Sequence, residues 1–313
     1  MSDALNEIAA EHAGIDAYVL IEGGVVVAQG GEVSLPLNTA SVRKSVLSVL
    51  VGAAVHSDAL DLGTPLDALK IDDPRFPLSA TERSATLQDL LMSRSGIYLP
   101  AGGDTPQASA LRPKRGSDAP GTVWAYSNWG FNALGVAVER AYGKPLGQTF
   151  DRLLAQPLGL HDFAPDHLFF ETGEGLPTYR LFLSTRDLAR IGALMLADGV
   201  WEGTRILPTG WATESFTPWS EVGPPWSQAP VNGYGYSWWI NTQTGAAVAS
   251  GWGGQYLYVD PATQSVLALR SDTGTSPLRH FVFRQFGARG DVRGLLRLLS
   301  AAAIPSGVDP FTP

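Results

Sequence analysis

The sequence contains no cysteine, which excludes a disulfide framework, a thiol nucleophile and a thiolate metal site while remaining compatible with any redox compartment. Lysine is almost as scarce, with 4 residues against 18 arginines. No apolar run reaches the 18 or so residues that span a bilayer, so no membrane partner is expected. The first fourteen residues are acidic and amphipathic; they lack the basic segment and continuous apolar core of a signal peptide, and the expectation is a cytoplasmic chain unless a leader has been removed. A net charge of −8 argues against a nucleic-acid partner, which draws on clustered lysine and arginine. The dense basic stretches, Arg112-Pro-Lys114-Arg115 and the arginines from Arg284 to Arg297, read as solvated surface. Arg289-Gly290-Asp291 is too short a match to carry a function.

What is present is an ordinary globular composition: 313 residues, 44% of them hydrophobic, enough for a substantial core in one large or two intimate domains. Residues 3–13 read as an amphipathic helix, and Ala17 to Ala28 as a hairpin turning at Gly23-Gly24. An apolar helix is expected after Pro36-Leu-Asn-Thr39. From about residue 60 to 180 the pattern is one of short helices broken by proline and glycine, at Leu87–Met92, Trp129–Ala141 and Leu146–Ala155. Helix returns at Thr185–Ala197, with Ser184 or Thr185 as cap and Asp187 in the first turn. Strands are expected at Tyr234–Ile240, Ala246–Ser250, Gln255–Asp260 and Ser265–Arg270, and one or two helices over Leu278–Ala302. This order favours an α+β architecture, an antiparallel sheet built from both ends of the chain and flanked by helices. The expected division is residues 1–65 with 180–313 around the sheet and 66–179 as a mainly helical region, with the site between them.

Three segments can carry chemistry. Ser41-Val-Arg-Lys44 opens the most apolar helix, and one helical turn puts the hydroxyl and the amine on the same face. With 24 serines and 4 lysines, roughly 0.3 such pairs are expected by chance, so context decides. A helix-capping serine followed by a surface lysine would give the same spacing. Burial favours the chemical reading, because desolvation lowers a lysine pKa and makes it a base, which an arginine there could not become. Tyr126-Ser-Asn128 is the second segment: a phenolate held near an ammonium can exchange protons with water or a leaving group, and Asn128 can reach Lys44 and a substrate carbonyl. A buried tyrosine and a turn asparagine remain an alternative. The third is Ala249-Ser-Gly251-Trp-Gly253-Gly-Gln255, where glycines let a backbone N–H approach a substrate, as an oxyanion hole requires, or simply join two strands.

These segments, with Leu87-Gln-Asp-Leu-Leu-Met-Ser-Arg-Ser-Gly96, Pro120-Gly-Thr-Val-Trp-Ala-Tyr-Ser-Asn128, Ser184-Thr-Arg-Asp-Leu-Ala-Arg-Ile-Gly192 and Gly254-Gln-Tyr-Leu-Tyr-Val-Asp-Pro261, resemble the serine β-lactamase-like hydrolases. That family includes class C β-lactamases, DD-peptidases, D-aminopeptidases, family VIII carboxylesterases and nylon-oligomer hydrolases. The resemblance runs from about Asn38 to Arg270 and implies the β-lactamase-like, penicillin-binding-protein-like transpeptidase fold. It also implies Ser41 as nucleophile, Lys44 as its base, Tyr126 as partner base or acid and Asn128 as positioning group. Backbone N–H groups of Ser41 and Trp252 would form the oxyanion hole, the former at the positive end of a helix dipole.

One departure stands out. The family's third motif usually carries Lys-Thr-Gly or His-Thr-Gly, whereas this chain reads Ala249-Ser250-Gly251, without the cation that helps to hold a carboxylate in β-lactamases and DD-peptidases. Aromatic residues lie close to the motifs in sequence, Trp124, Trp129, Trp238, Trp239, Trp252, Tyr256 and Tyr258 among them. With Gly251 and Gly253 they suggest an apolar pocket for a neutral acyl group, although core packing would use the same residues. The expected activity is hydrolysis of a small ester through an acyl-Ser41 intermediate, without a cofactor; an amide hydrolase of the β-lactamase, D-aminopeptidase or nylon-oligomer type is the alternative, and a catalytically silent binding protein a remote one. A Ser-His-Asp hydrolase lacks support, since no G-x-S-x-G elbow occurs and His12, His56, His161, His167 and His280 are scattered. Nor do His161, Asp162 and His167 have a metal-site spacing.

Overall fold

The structure is a computed structural model that describes residues 15–171, 173, 175–227 and 230–273. The helices expected at 3–13 and 278–302, the basic run from Arg284 to Arg297, and Arg289-Gly290-Asp291 lie outside the described residues. In chain order, the N-terminal hairpin β1 (Ala17–Glu22) and β2 (Val25–Gly31) leads through β3 (Leu37–Asn38) into α1 (Val42–His56). Short helices follow, Leu87–Leu91 among them, then α2 (Asn128–Tyr142), β4 (Leu168–Glu171), β5 (Thr178–Leu183) and α3 (Thr185–Leu196). The small hairpin β6 (Val200–Trp201) and β7 (Thr204–Arg205) precedes β8 (Ser220–Glu221), β9 (Val231–Tyr234), β10 (Trp239–Asn241), β11 (Ala247–Gly251), β12 (Gln255–Asp260) and β13 (Ser265–Arg270).

The main sheet has eight strands in the order β2-β1-β13-β12-β11-β10-β9-β8, and its neighbouring strands are antiparallel. The N-terminal hairpin therefore pairs with the last described strand, Val19 opposite Ala268. Side chains alternate between the two faces, as a pleated strand requires. On β12, Leu257 and Val259 enter the large core with α1 and α3, while Tyr256 and Tyr258 join Tyr18, Leu20, Val248, Leu267 and Leu269 in a second cluster.

Helix α1 is buried at every position from Val42 to Ala54, which is why its sequence is apolar all round. It packs against α2, β11 and β12. The caps of α2 and α3 are local and conventional. Ser127 accepts from Gly130 N, and α2 ends on left-handed Gly143; Ser184 accepts from Asp187 N.

Two departures from the sequence reading have physical causes. Tyr234–Ile240 is a hairpin, not one strand: Ser237 takes a positive φ of 64° and reverses the chain, its N–H donating to Leu91 O at 2.8 Å. The segment before residue 180 is not wholly helical either, since β4 and β5 pair with each other and β5 with β3. Among the described residues no helix is long and apolar enough to cross a membrane.

Candidate active site

The turn before α1 sets the geometry. Ala40 lies in the left-handed region at φ 47°, costly for a residue with a Cβ, and its N–H donates to Asn38 Oδ1 at 2.9 Å. Ser41 follows at the N-cap position, yet its side chain makes no capping hydrogen bond. Its Oγ instead lies 2.8 Å from Lys44 Nζ and accepts from the Tyr126 hydroxyl at 3.1 Å. Lys44 is only 4% exposed, and its Nζ sits 4.9 Å from the Tyr126 ring centre and 5.3 Å from that of Phe131. The spacing thus yields a buried amine in contact with a hydroxyl, rather than a surface lysine beside a cap.

Burial pushes the Lys44 pKa well below that of an ordinary lysine; the Arg43 charge acts in the same direction, Asp104 opposes it, and Arg180 adds to the lowering. Burial also raises the Tyr126 phenol, against the hydrogen bond to Ser41 and the charge of Arg43 and with the help of Asp104. Burial thus favours the uncharged form of both side chains. Lys44 Nζ and the Tyr126 hydroxyl both donate to Ser41 Oγ in this arrangement, and transfer of the Ser41 proton to the amine needs the neutral lysine that burial favours.

Asn128 occupies the first turn of α2 beside this pair, but the structure gives it other partners than Lys44. Its Nδ2 donates to Gly103 O at 3.1 Å and to Asp104 Oδ1 at 2.9 Å, and its Oδ1 is buried without a partner. Asp104 also accepts from Ala101 N at 2.9 Å and pairs with Arg112. The sequence reading missed Asp104 and Arg43. Gly102-Gly103-Asp104 signals only a turn, and nothing local shows that this loop folds against Asn128.

The third segment meets the first through Gly251. A Cβ there would lie 2.7 Å from Thr39 O and 3.1 Å from Ser41 N, so only glycine lets β11 approach the start of α1. The turn beyond it, Trp252-Gly253-Gly254, is tied down by Gln255, whose Nε2 donates to Gly253 O at 3.1 Å and to Ser271 O at 2.6 Å. The Trp252 side chain is 44% exposed.

The aromatic residues divide into two groups. Tyr126 stacks on Trp226 at 4.8 Å and lies 6.4 Å from Trp239 at a small angle; Trp124 meets Trp226, Tyr234 and Trp239 edge-on. A cavity of about 480 Å³ opens against Trp124 and Trp226, bordered also by Thr122, Val222 and Pro224. Trp129 and Trp238, by contrast, are completely buried and do not line a pocket. The Trp129 indole N–H donates to Asp73 Oδ2 at 2.9 Å, and Trp238 packs against Phe216. Trp226, which sequence reading did not single out, borders this cavity and stacks on Tyr126. No cluster of three or more metal-ligating side chains occurs among the described residues. His161 lies against Arg190 and His167 accepts from Ala164 N.

A lysine and a tyrosine converging on a serine oxygen beside the end of an antiparallel strand define a class of hydrolase, and comparison with known proteins gives the family. The sequence profile of the Beta-lactamase family matches residues 9–282, so the chain belongs to that family and is a serine hydrolase. It is 25% identical over 307 residues to a 6-aminohexanoate-dimer hydrolase of Paenarthrobacter ureafaciens, covering 88% of this chain and 77% of that protein. A local match of 46 residues, 52% identical, links it to Esterase EstB of Burkholderia gladioli, over 15% of this chain and 12% of that one. A penicillin-binding protein from Bacillus halodurans has the same fold, with a TM-score of 0.66, 17% identity and coverage of 94% of this chain and 99% of that chain.

Proposed function

We propose that the protein is a carboxylesterase acting on a small, neutral ester, with Ser41 as nucleophile, Lys44 as its base, and Tyr126 as the acid that serves Ser41 Oγ and the leaving group. The observation that carries this reading is the convergence of Lys44 Nζ and Tyr126 Oη on Ser41 Oγ, at 2.8 and 3.1 Å. Ser41 Oγ passes its proton to the neutral Lys44 amine as it bonds to the acyl carbon. The oxyanion is met by N–H groups of Ser41 and Trp252, a donor of this kind being worth about 3 kcal/mol in the transition state. As the C–O bond to the alkoxide breaks, the leaving oxygen takes a proton from the Lys44 ammonium or from Tyr126, which recovers one from the ammonium. Water then attacks acyl-Ser41 by the same steps in reverse order, returning the hydroxyl and releasing the acid. Asn128, held by Asp104, positions the substrate.

The strand beside Ser41 carries Ala249-Ser250-Gly251, with no basic side chain for a substrate carboxylate, and the adjoining wall is tryptophan and tyrosine; both support a neutral substrate. We read the site as lying where the sheet body, residues 1–65 and 180–313, meets the mainly helical region 66–179: Ser41 and Gly251 belong to the first, Tyr126 and Asn128 to the second. Hydrolysis of a small amide is the second reading, supported by similarity to the 6-aminohexanoate-dimer hydrolase along most of the chain.

A panel of p-nitrophenyl acetate, p-nitrophenyl butyrate, the linear 6-aminohexanoate dimer and a chromogenic cephalosporin separates these readings. The ester reading predicts kcat/KM for the butyrate at least about 10²-fold above that for either amide, a difference of about 2.7 kcal/mol in transition-state stabilisation. Faster turnover of the dimer would replace it with the amide reading.

A further inference from the structure

Arg43 lies between nucleophile and base in sequence, and its side chain is 3% exposed. It makes no ion pair among the described residues. Its guanidinium lies 4.1 Å from the centre of the Tyr179 ring, and Nη1 donates to Asn132 Oδ1 at a long 3.5 Å. Asn132 presents that oxygen because its Nδ2 is committed to Thr178 Oγ1 at 3.0 Å and Gly102 O at 3.4 Å. A Cβ on Gly103 would be 3.2 Å from the guanidinium, so the loop that holds Asn128 also closes over Arg43.

A buried cation without a counter-ion is expensive. The other charges around Lys44 are each neutralised nearby: Asp104, on the loop, by Arg112, and Arg180, on β5, by Glu171 at 2.8 Å. The titratable group seen against the amine is the phenol of Tyr126, α2 brings Phe131 to it, and Tyr179 of β5 lies against Arg43 instead. Arg43 is thus the buried formal charge beside Lys44 that has no opposite charge next to it among the described residues. A guanidinium cannot relieve its burial by releasing a proton, as an ammonium could.

We propose that Arg43 is a positioning residue acting through Lys44: a permanent cation, fixed between the Tyr179 ring and Asn132, that opposes protonation of the amine and so extends acylation to lower pH. The inference rests on Lys44 being the base. It agrees with Arg43 being the largest contributor after burial to the lowering at Lys44.

The test is the pH profile of kcat/KM for p-nitrophenyl butyrate in wild type, Arg43→Met and Asn132→Asp. Methionine keeps the unbranched bulk and removes the charge; aspartate keeps Arg43 and supplies the missing counter-charge. Each variant should shift the acid limb upward by about one pH unit, with the plateau at higher pH within a few-fold of wild type. On the wild-type limb this is about a tenfold loss of rate at fixed pH. An unmoved limb in a folded Arg43→Met overturns the proposal; if that variant does not fold, an unmoved limb in Asn132→Asp does so. Lys44→Met separates the two claims: if it retains wild-type activity, the base assignment fails, whereas an inactive Lys44→Met with unmoved limbs in the other variants defeats the Arg43 proposal alone.

Discussion

Among the described residues two arginines are buried without a carboxylate partner, and their surroundings differ. Arg270, at the end of β13, is fully buried with all three nitrogens used: Nε donates to Gln255 Oε1 at 2.5 Å, Nη1 to Leu183 O at 2.7 Å and Nη2 to Leu37 O at 2.7 Å. It joins the main sheet to β3 and β5, and through Gln255 it steadies the turn at Gly253. Arg43 has a ring and one long contact instead. A buried guanidinium saturated by carbonyl oxygens holds strands together, whereas the role proposed for Arg43 is to act on Lys44 by its charge. On the proposed mechanism the two regions divide accordingly: polar groups at the start of α1 would serve chemistry at a cost in stability, and those behind the sheet stability.

Lys44→Met should sharpen this contrast most. Loss of the base should lower kcat/KM by about 10³-fold or more, while thermal unfolding moves to higher temperature, about 2–4 °C for each kcal/mol recovered. The pH dependence has a definite sign. The Lys44 pKa in the folded protein lies well below the 10.4 of an unfolded chain, so between those values the unfolded state binds more protons and wild-type stability rises with pH. The advantage of the methionine variant should therefore be greatest in mildly acidic buffer and disappear above about pH 10.4; a constant difference from pH 6 to pH 10 would contradict a buried neutral amine. Arg270→Met should do the opposite, costing about 3–5 kcal/mol in urea unfolding by leaving buried acceptors without donors. A wild-type urea midpoint would break the comparison.

Tyr126→Phe should lower kcat by about 10²-fold with little change in unfolding temperature, since the ring stack on Trp226 remains. Trp252→Ala should have the smallest effect, within about 0.5 kcal/mol in stability and a few-fold in kcat, because the proposed donor is a backbone N–H that alanine also supplies. A hundredfold loss there would show that the exposed indole itself contacts the substrate.

What the sequence made legible was local or carried by blocks of residues. Ser41 and Lys44 lie one helical turn apart, a glycine turn between apolar stretches located β1 and β2, and apolar or alternating runs located β11, β12 and β13. Contacts that depend on distant segments stayed hidden. Asp104 reaches Asn128 across a glycine turn, Asn132 faces Arg43 from a different helix, and Ser237 splits an apolar run because its amide is bound by Leu91. Trp129 stands next to Asn128 in the chain and Trp238 next to Trp239, yet both are buried in the core. Adjacency in sequence does not say which face of an element a side chain occupies, and the same limit hid Trp226, whose loop folds back onto Tyr126.

The most direct test of the central claim is the intact-protein mass, followed through time after mixing with p-nitrophenyl butyrate and completed by peptide mapping, in wild type and Ser41→Ala. The account predicts a butyryl adduct on Ser41 that forms and decays in wild type and is absent from the variant. Turnover by Ser41→Ala at the wild-type rate, or a decaying adduct mapped to another residue, would contradict it.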